Sequence, residues 1–314
     1  MPRHQRKKPR GREIDGWLII DKPSGIGSTD VVNKVKRAYD AQKAGHGGTL
    51  DPLATGLLPI AFGHATKTVP YVMDGTKVYR FTLRFGEARD SDDADGAVIE
   101  TSDVRPSDEA IRAALPAFTG DIMQVPPIYS AIKVNGERAY DLARDGQVVE
   151  LVARPARVDR FVLIARPDAD TAEFEVQSGK GVYMRSLARD VARATGAVGH
   201  IVALRRTRVG PFQESDGVAL DRIVVTGDTP PPSLDLLLPL TTALADIPAL
   251  AVVEGEAARL GFGQSLSLVD LMGRVPSEAS PDGGLVRVMA GERFVGLCRL
   301  EEGMLRPERL MAPT

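Results

Sequence analysis

A single aspartate in a glycine-rich block is the first residue of this sequence whose setting points to chemistry. Asp51 lies in the run GHGGTLDPLATG, residues 45–56, directly between Leu50 and Pro52. The proline disfavours helix at the aspartate and stiffens the loop. A carboxylate among apolar neighbours is poorly solvated, which makes it reactive, and it needs a facing cation to stay ionised. The alternative is a turn aspartate that bonds to its own backbone, which is common in such loops.

Three other side chains could assist such a carboxylate, and each also has an ordinary explanation. Arg185 is either a surface ion-pair residue or the cation that keeps a buried aspartate ionised. Tyr79 lies on the apolar face of a predicted strand, where it either packs in the core or stacks on a flipped base. His46 is either an ordinary loop residue or one that contacts a base. The chain has four scattered histidines, so we expect no zinc site.

The acidic run DSDDADG, residues 90–96, superficially suggests a calcium loop. Its acids are out of register with the EF-hand pattern, and the glutamate that closes such a loop is missing. We therefore expect a solvated acidic turn that steers nearby arginine side chains.

A basic and aromatic stretch runs from Gln124 to about residue 150. It starts with a rigid Pro-Pro pair and then interleaves Lys133, Arg138 and Arg144 with tyrosines. This composition is typical of a flap that faces RNA. A solvated loop followed by a short helix is the alternative.

Composition limits the class of protein. The chain has 314 residues, a net charge of −2 and one cysteine, Cys298, which excludes a disulfide framework or a cysteine-based metal site. Residues 1–12 carry six Lys or Arg and no acid, with no apolar stretch behind them, so they are not a secretory signal. With no apolar run of membrane-spanning length, we expect a cytoplasmic protein with a basic, disordered tail over residues 1–13.

The elements that must position these residues are a mixture of strands and helices. Apolar residues predict a buried strand at 17–20, alternation predicts strands at 78–85 and 172–177, and helical spacing predicts a helix at 184–194. Ser28 or Thr29 is expected to cap another helix. Because there is no regular βαβ rhythm, we predict an α+β fold, a largely antiparallel mixed sheet flanked by helices. Strand and turn signals predict a small β-rich domain from about residue 245, after a loop at 226–234.

Taken together, these segments resemble the TruB family of tRNA pseudouridine synthases. Six blocks occur in the family's order over about residues 14–215: DKPSG at 21–25, the run at 45–59, KVYR at 77–80, the stretch at 126–146, GVYMRSL at 181–187 and LRR at 204–206. The resemblance implies a catalytic domain over residues 14–240, with an RNA-closing insertion at about 124–150. It also implies a C-terminal RNA-binding, PUA-like domain over residues 245–314.

The resemblance implies an isomerase that converts the T-loop uridine of tRNA, at position 55, to pseudouridine. The base is flipped out of the loop, its glycosidic bond is broken with the help of an aspartate, and the base is rejoined through C5. The family implies no metal and no cofactor, and the sequence has no Rossmann or Walker signature. We expect a monomer that acts on the T-loop and T-stem of tRNA without a guide RNA and without a membrane.

Carried over residue by residue, the resemblance assigns the reaction to three positions. It implies that Asp51 is the catalytic aspartate, that Arg185 pairs with it, and that Tyr79 stacks on the target uracil.

The other implied positions bind the substrate. His46 is implied to contact the RNA loop, Tyr183 and Leu204 to line the nucleoside pocket, and Lys22 and Pro23 to pack near it. The family commonly has threonine where this chain has Gly47, so the contact of this loop with RNA is expected to differ.

Two other classes of protein compete with this interpretation. A non-catalytic tRNA-binding or tRNA-folding protein would use the same basic segments but would not need Asp51 together with Arg185. A glycoside hydrolase also breaks a glycosidic bond but needs two carboxylates roughly 5 to 9 Å apart, and the blocks around the pocket supply only one convincing acid. A guide-RNA-dependent relative in the same superfamily is a further alternative.

Overall fold

The computed structural model describes residues 11–130, 132–134, 137–138, 151–224, 230–280 and 282–311. The basic tail up to residue 10 and most of the predicted insertion, including Arg144, lie outside these ranges. None of the helices within them is long and apolar enough to cross a membrane.

Fourteen strands precede the C-terminal region in the described part of the chain. They are β1 Gly16–Lys22, β2 Ala44–His46, β3 Thr55–Phe62, β4 Lys77–Phe85, β5 Glu87–Arg89, β6 Val98–Thr101, β7 Gly120–Gln124, β8 Lys133–Val134, β9 Glu137–Arg138, β10 Arg154–Ala165, β11 Thr171–Ser178, β12 Gly199–Val209, β13 Phe212–Gln213 and β14 Val218–Ala219. The helices, numbered in chain order, are α1 Ser28–Ala38, α2 Val69–Asp74, α3 Asp108–Ala114, α4 Met184–Ala194 and α5 Glu254–Gly261.

Ten of these strands form one mixed sheet. Its main path runs β14-β1-β3-β12-β4-β11-β10-β7, with β2 beside β3 and β13 beside β12. Only the β1–β14 and β3–β12 pairs are parallel within it. The prediction of a largely antiparallel sheet flanked by helices is confirmed.

Alternation along the central strand builds the core. Phe81, Leu83 and Phe85 of β4 are buried, and the ring of Phe81 stacks on Phe174 of β11 with centroids 5.1 Å apart. Helix α4 occupies the predicted residues and packs its buried face, including Leu187, against the same core. Each such side chain stabilises the fold by about 1.5–3 kcal/mol through its burial.

The glycine-rich block is shorter as a loop than the sequence indicates, because its ends belong to β2 and β3 and only residues 47–54 connect them. Gly56 lies beside Arg206 in the parallel β3–β12 pair, and an ideal Cβ on Gly56 would lie 2.2 Å from the carbonyl oxygen of Arg206. Only glycine permits this close approach of the two backbones.

The predicted cap of the first helix is wrong. Gly27 precedes α1 without a side-chain cap, and Ser28 lies inside the first turn. The Ser28 hydroxyl accepts from the Leu50 N–H and donates to the Leu50 carbonyl, both at 2.8 Å. The serine therefore ties α1 to the residue next to Asp51.

The C-terminal region forms its own five-stranded sheet, as the fold prediction requires. Its strands are β15 Ala249–Ala251, β16 Leu266–Ser267, β17 Leu285–Ala290, β18 Arg293–Glu301 and β19 Met304–Leu310, in the order β15-β17-β18-β19-β16. A separate apolar core holds this sheet against α5. Lys67 donates to the Leu310 carbonyl at 3.3 Å, and the Tyr71 hydroxyl of α2 donates to Glu308 at 3.1 Å, so the region contacts the segment between β3 and β4.

Candidate active site

The side chain of Asp51 faces a cation rather than its own backbone. Its Oδ2 lies 2.9 Å from an Nη of Arg185, and 40% of its side chain is exposed against 7% for the arginine. The Asp51 carbonyl accepts from Ala54 N–H at 3.1 Å, so the backbone forms the turn while the carboxylate stays available. A half-exposed carboxylate beside a buried guanidinium can act on a bound molecule as a nucleophile or as a base.

Arg185 is fixed by partners other than Asp51. Its guanidinium donates to the carbonyls of Ser91 at 2.9 Å and Tyr129 at 2.8 Å, and it forms a second ion pair with Asp93 at 3.3 Å. The two carboxylates therefore hold the guanidinium between them. Since Asp93 is 7% exposed, the guanidinium reaches Asp51 from a preset position.

The prediction that residues 90–96 form a solvated turn is wrong for residues 91–93, although the expected contact with arginine side chains is present. Ser91, Asp92 and Asp93 are all buried. Helix α4 presents Arg185 and Arg189 to these acids, and burial next to opposite charges replaces the water that an acidic turn usually has. The pattern of two arginines four residues apart on one helix was the available signal for this contact.

A cavity of about 330 Å³ opens beside the carboxylate, a size suited to a small ligand such as a nucleoside. Asp51, Tyr79, Tyr183, Arg185 and Leu204 all line it. Five of the eight residues implied as site residues thus surround one cavity, although they come from four separate parts of the chain.

Tyr79 is less buried than the other residues on the same face of β4. Phe81, Leu83 and Phe85 are buried, but Tyr79 is half-buried because its ring borders the cavity. An aromatic ring in such a wall can stack on a flat ligand.

Tyr183 is held immediately before α4. Its backbone N–H donates to the side-chain oxygen of Gln124 at 2.9 Å, and the Gln124 amide donates back to its carbonyl at 3.0 Å. Burial raises the pKa of the Tyr183 hydroxyl above its ordinary value, so the phenol stays protonated. Gln124 was known from the sequence only as the start of the insertion, so its role in holding the pocket wall was missed.

A second cavity, of about 710 Å³, lies against the same ion pair. Thr49, Leu50, Asp51, Ser130 and Arg185 border both spaces. The acidic turn and the start of α1 line the second one. The Asp51–Arg185 pair therefore separates two cavities, each of which is large enough for part of an extended ligand.

Lys22 ends strand β1 and Pro23 follows it, and neither lines either cavity. The Lys22 ammonium is buried and donates to the carbonyls of Pro23 at 2.9 Å, Ile26 at 2.8 Å and Pro52 at 3.1 Å. Burial lowers its pKa to about 8, although the charge of Asp51 opposes that shift. Lys22 holds the loop that carries Asp51, while Pro23 is exposed next to it.

His46 ends strand β2 and lines neither cavity. Burial, and then the charge of Arg206, lowers the pKa of its imidazole below the ordinary value, so the ring is neutral at pH 7. Next to it, an ideal Cβ on Gly47 would lie 3.0 Å from a Val72 methyl group. A threonine at this position would displace Val72, which gives the packing reason for the glycine.

Arg206 also holds the loop 47–54 that carries Asp51. Its buried guanidinium donates to the carbonyls of Leu57 at 2.9 Å, Thr49 at 3.3 Å and Gly48 at 3.0 Å, and it lines the first cavity. The block LRR was noted in the sequence, but nothing local showed that its last arginine reaches residues 48–57.

Comparison with protein families matches the chain in three consecutive segments. Residues 36–184 match the TruB family pseudouridylate synthase N-terminal domain, residues 185–245 the tRNA pseudouridylate synthase B C-terminal domain, and residues 248–311 the pseudouridine synthase II TruB C-terminal domain.

Curated relatives are similar over nearly the whole chain. The tRNA pseudouridine synthase B of Gluconacetobacter diazotrophicus is 72% identical over 305 residues, covering 97% of this chain and 100% of the relative. The protein of the same name from Gluconobacter oxydans is 57% identical over 309 residues, covering 97% of this chain and 93% of the relative.

The fold recurs in a solved structure, that of a Cbf5–Nop10–Gar1 complex. The match has a TM-score of 0.72 and 25% identity, and it covers 95% of this chain and 85% of the other. A chain of an H/ACA RNP bound to a substrate RNA matches with a TM-score of 0.72 at 22% identity, covering 98% of this chain and 92% of the other, which shows the fold alone.

Proposed function

Because the chain belongs to the TruB family of pseudouridine synthases, we propose that its first cavity receives a uridine of tRNA and that Asp51 acts on it. The protein is an isomerase that converts uridine to pseudouridine in tRNA. The observation that carries the assignment of the site is the 2.9 Å ion pair between Asp51 and Arg185 at the cavity wall.

The reaction exchanges one bond of the substrate for another and involves no oxidation or reduction. The bond between N1 and C1′ breaks, the base turns, C5 joins C1′, and N1 gains a proton while C5 loses one. A carboxylate that acts as nucleophile or base must be ionised, and Arg185 supplies the counter-charge. The base must first leave the stacked loop at a cost of roughly a few kcal/mol, which contacts in the pocket offset.

The pocket offers those contacts. Tyr79 is the stacking platform, Tyr183 and Leu204 enclose the nucleoside, and Arg185 keeps the carboxylate in place. His46 is neutral at pH 7 and directly precedes the loop 47–54, from where it contacts the RNA around the flipped base. Lys22 supports the loop through its bond to the Pro52 carbonyl, and Pro23 lies next to it.

The target is the T-loop uridine at position 55, and the enzyme works on tRNA as a monomer in the cytoplasm, without a guide RNA. The printed names of the relatives, tRNA pseudouridine synthase B, support tRNA as the substrate. The catalytic domain covers residues 14–240 and the RNA-binding C-terminal domain residues 245–314, which agrees with the separate apolar cores.

The test uses a tRNA transcript labelled with tritium at C5 of uridine, because the label is released when C5 joins C1′. With purified protein and no other RNA, we expect one equivalent of tritium per tRNA. A transcript with cytidine at position 55 is the matched control and should release none. Equal release from both transcripts would contradict the T-loop assignment, and no release from either would favour a non-catalytic tRNA-binding protein.

A further inference from the structure

Helix α4 carries two arginines one turn apart that bridge the same two segments. Arg185 reaches the acidic turn through Ser91 and Asp93, and it reaches the segment 124–130 through the Tyr129 carbonyl. Arg189 repeats this arrangement. It donates to Asp92 of the turn and to the Val125 carbonyl of the segment, both at 2.9 Å.

The second bridge is built into the fold. The side chains of Arg189 and Asp92 are 17% and 12% exposed, and Asp190 takes the remaining Nε–H of Arg189 at 2.8 Å. Each of the three nitrogen atoms of this guanidinium therefore has an acceptor. Ser186 donates to the same Val125 carbonyl at 2.8 Å, so the segment is fixed at this point by two residues of α4.

The backbone of Asp92 explains how adjacent acids both reach one helix. Its φ of 60° is in the left-handed region, which non-glycine residues adopt rarely. Its carbonyl accepts from the Ile201 N–H at 3.1 Å and its N–H donates to the Arg89 carbonyl at 3.0 Å, so the unusual conformation is held by neighbouring strands. The turn thus directs Asp92 to Arg189 and Asp93 to Arg185.

We propose that Arg189 is a positioning residue for the reaction. Together with Asp92 it fixes the acidic turn and the segment 124–130 against α4, and these two segments in turn hold Arg185 where it meets Asp51. Arg189 lines neither cavity beside Asp51, so it acts through Arg185 and not on the substrate. The inference rests on the proposed function.

The experiment compares Arg189→Ala and Asp92→Asn with the wild type in single-turnover pseudouridine formation at saturating enzyme. We expect each variant to lower the rate by about 10- to 100-fold, the effect of a small misplacement at a distance from the chemistry. The Kd for tRNA should change less than about twofold, because neither side chain touches the cavities. The double variant should fall no further than Arg189→Ala alone, because Arg189→Ala already removes the ion pair with Asp92.

Two further variants separate positioning from a general loss of structure. Arg189→Lys keeps the charge beside Asp92 but cannot also reach Val125, so its rate should lie between those of the wild type and Arg189→Ala. Arg193→Ala is the matched control, since Arg193 is exposed one turn further along α4 and should leave rate and Tm unchanged.

Folded Arg189→Ala and Asp92→Asn variants with the wild-type rate would overturn the inference, and so would a higher tRNA Kd at an unchanged rate. Should Arg189→Ala fail to fold, Asp92→Asn and Arg189→Lys carry the same test. An active wild type with active variants contradicts only the role of Arg189. A wild type that forms no pseudouridine contradicts the proposed function, and the inference falls with it.

Discussion

Two buried arginines line the cavity beside Asp51, one from helix α4 (the α4 wall) and one from strand β12 (the β12 wall), and their partners differ. Arg185 on helix α4 is 6% exposed and pairs with the carboxylates of Asp51 and Asp93. Arg206 on strand β12 is 1% exposed, and in the part of the chain that the structure describes it donates only to carbonyls of the loop 47–54 and of β3. Within the described residues no carboxylate forms an ion pair with Arg206.

This difference separates two tasks. A guanidinium between two carboxylates favours their charged form, so the α4 wall serves the chemistry that we propose for Asp51. A guanidinium bound to three carbonyls fixes the path of the backbone, so the β12 wall serves the shape of the loop. The unbalanced charge of Arg206 also acts on its surroundings, where it adds to burial in lowering the pKa values of Lys22, Lys77 and His46.

The largest effect is expected at the α4 wall. Arg185→Met should lower the rate of pseudouridine formation by at least about 10²-fold, because it removes the charge that faces the reacting carboxylate. The Kd for tRNA should stay within about threefold. Arg185 bonds to carboxylates and carbonyls of the protein, so the variant should lose no contact with an RNA phosphate. Single-turnover rates and filter binding measure the two quantities, and a variant with a normal rate would place Arg185 among structural ion pairs.

The β12 wall should respond mainly in stability. Arg206→Met leaves three buried carbonyls without their donor, which we expect to lower the free energy of unfolding by about 3–5 kcal/mol. Urea unfolding of the Arg206→Met variant checks this. Arg185→Met leaves the buried Asp93 without its counter-charge and should lose stability as well. The two walls are therefore distinguished by rate, and a folded Arg206→Met variant that is as slow as Arg185→Met would remove the distinction.

Tyr79 lines the same cavity and is paired in register with Arg206 across β4 and β12. Stacking of a base on an aromatic ring contributes about 1–3 kcal/mol, so Tyr79→Ala should lose roughly 10- to 100-fold in activity. Tyr79→Phe keeps the ring and should retain most of it. Equal losses in the two variants would assign the role of Tyr79 to its hydroxyl instead.

The smallest effect is a pH dependence confined to the α4 wall. Burial raises the pKa of Asp92 from 3.8 to about 6, against the charges of Arg189 and Arg185 and with a further rise from Asp190. As the pH falls through about 6, Asp92 takes up a proton and its ion pair with Arg189 weakens, so the rate should decrease. Because the raised pKa favours proton uptake by the folded state, this group does not reduce stability over the same range.

The rate between pH 5 and 8 tests this, with Asp92→Asn as the control. The variant cannot titrate at this position and should show no decrease centred near pH 6. A decrease of the same size in the variant would assign it to another group.

Local patterns predicted much of the scaffold. The alternation of β4 and the spacing of α4 are properties of short segments, and both elements lie at the predicted residues. The order of blocks along the chain indicated Asp51, Tyr79 and Arg185 together, although each residue alone had an ordinary explanation.

Contacts between distant segments could not be predicted in this way. The sequence predicts a solvated Asp93, but the residue is buried against Arg185 of α4. It predicts Ser28 as a helix cap, but the hydroxyl bonds to Leu50 instead. Arg206 reaches carbonyls about 150 residues away in sequence. Burial of charge depends on the tertiary partners that repay its desolvation, and those partners are not adjacent in the chain.

The most direct test of the account is Asp51→Asn, which keeps the shape of the side chain and removes its charge. We expect no release of tritium from labelled tRNA by this variant, while its Kd for tRNA stays within about twofold of the wild type, because the change leaves the rest of the pocket intact. Release at the wild-type rate by the variant would remove Asp51 from the reaction and contradict the account.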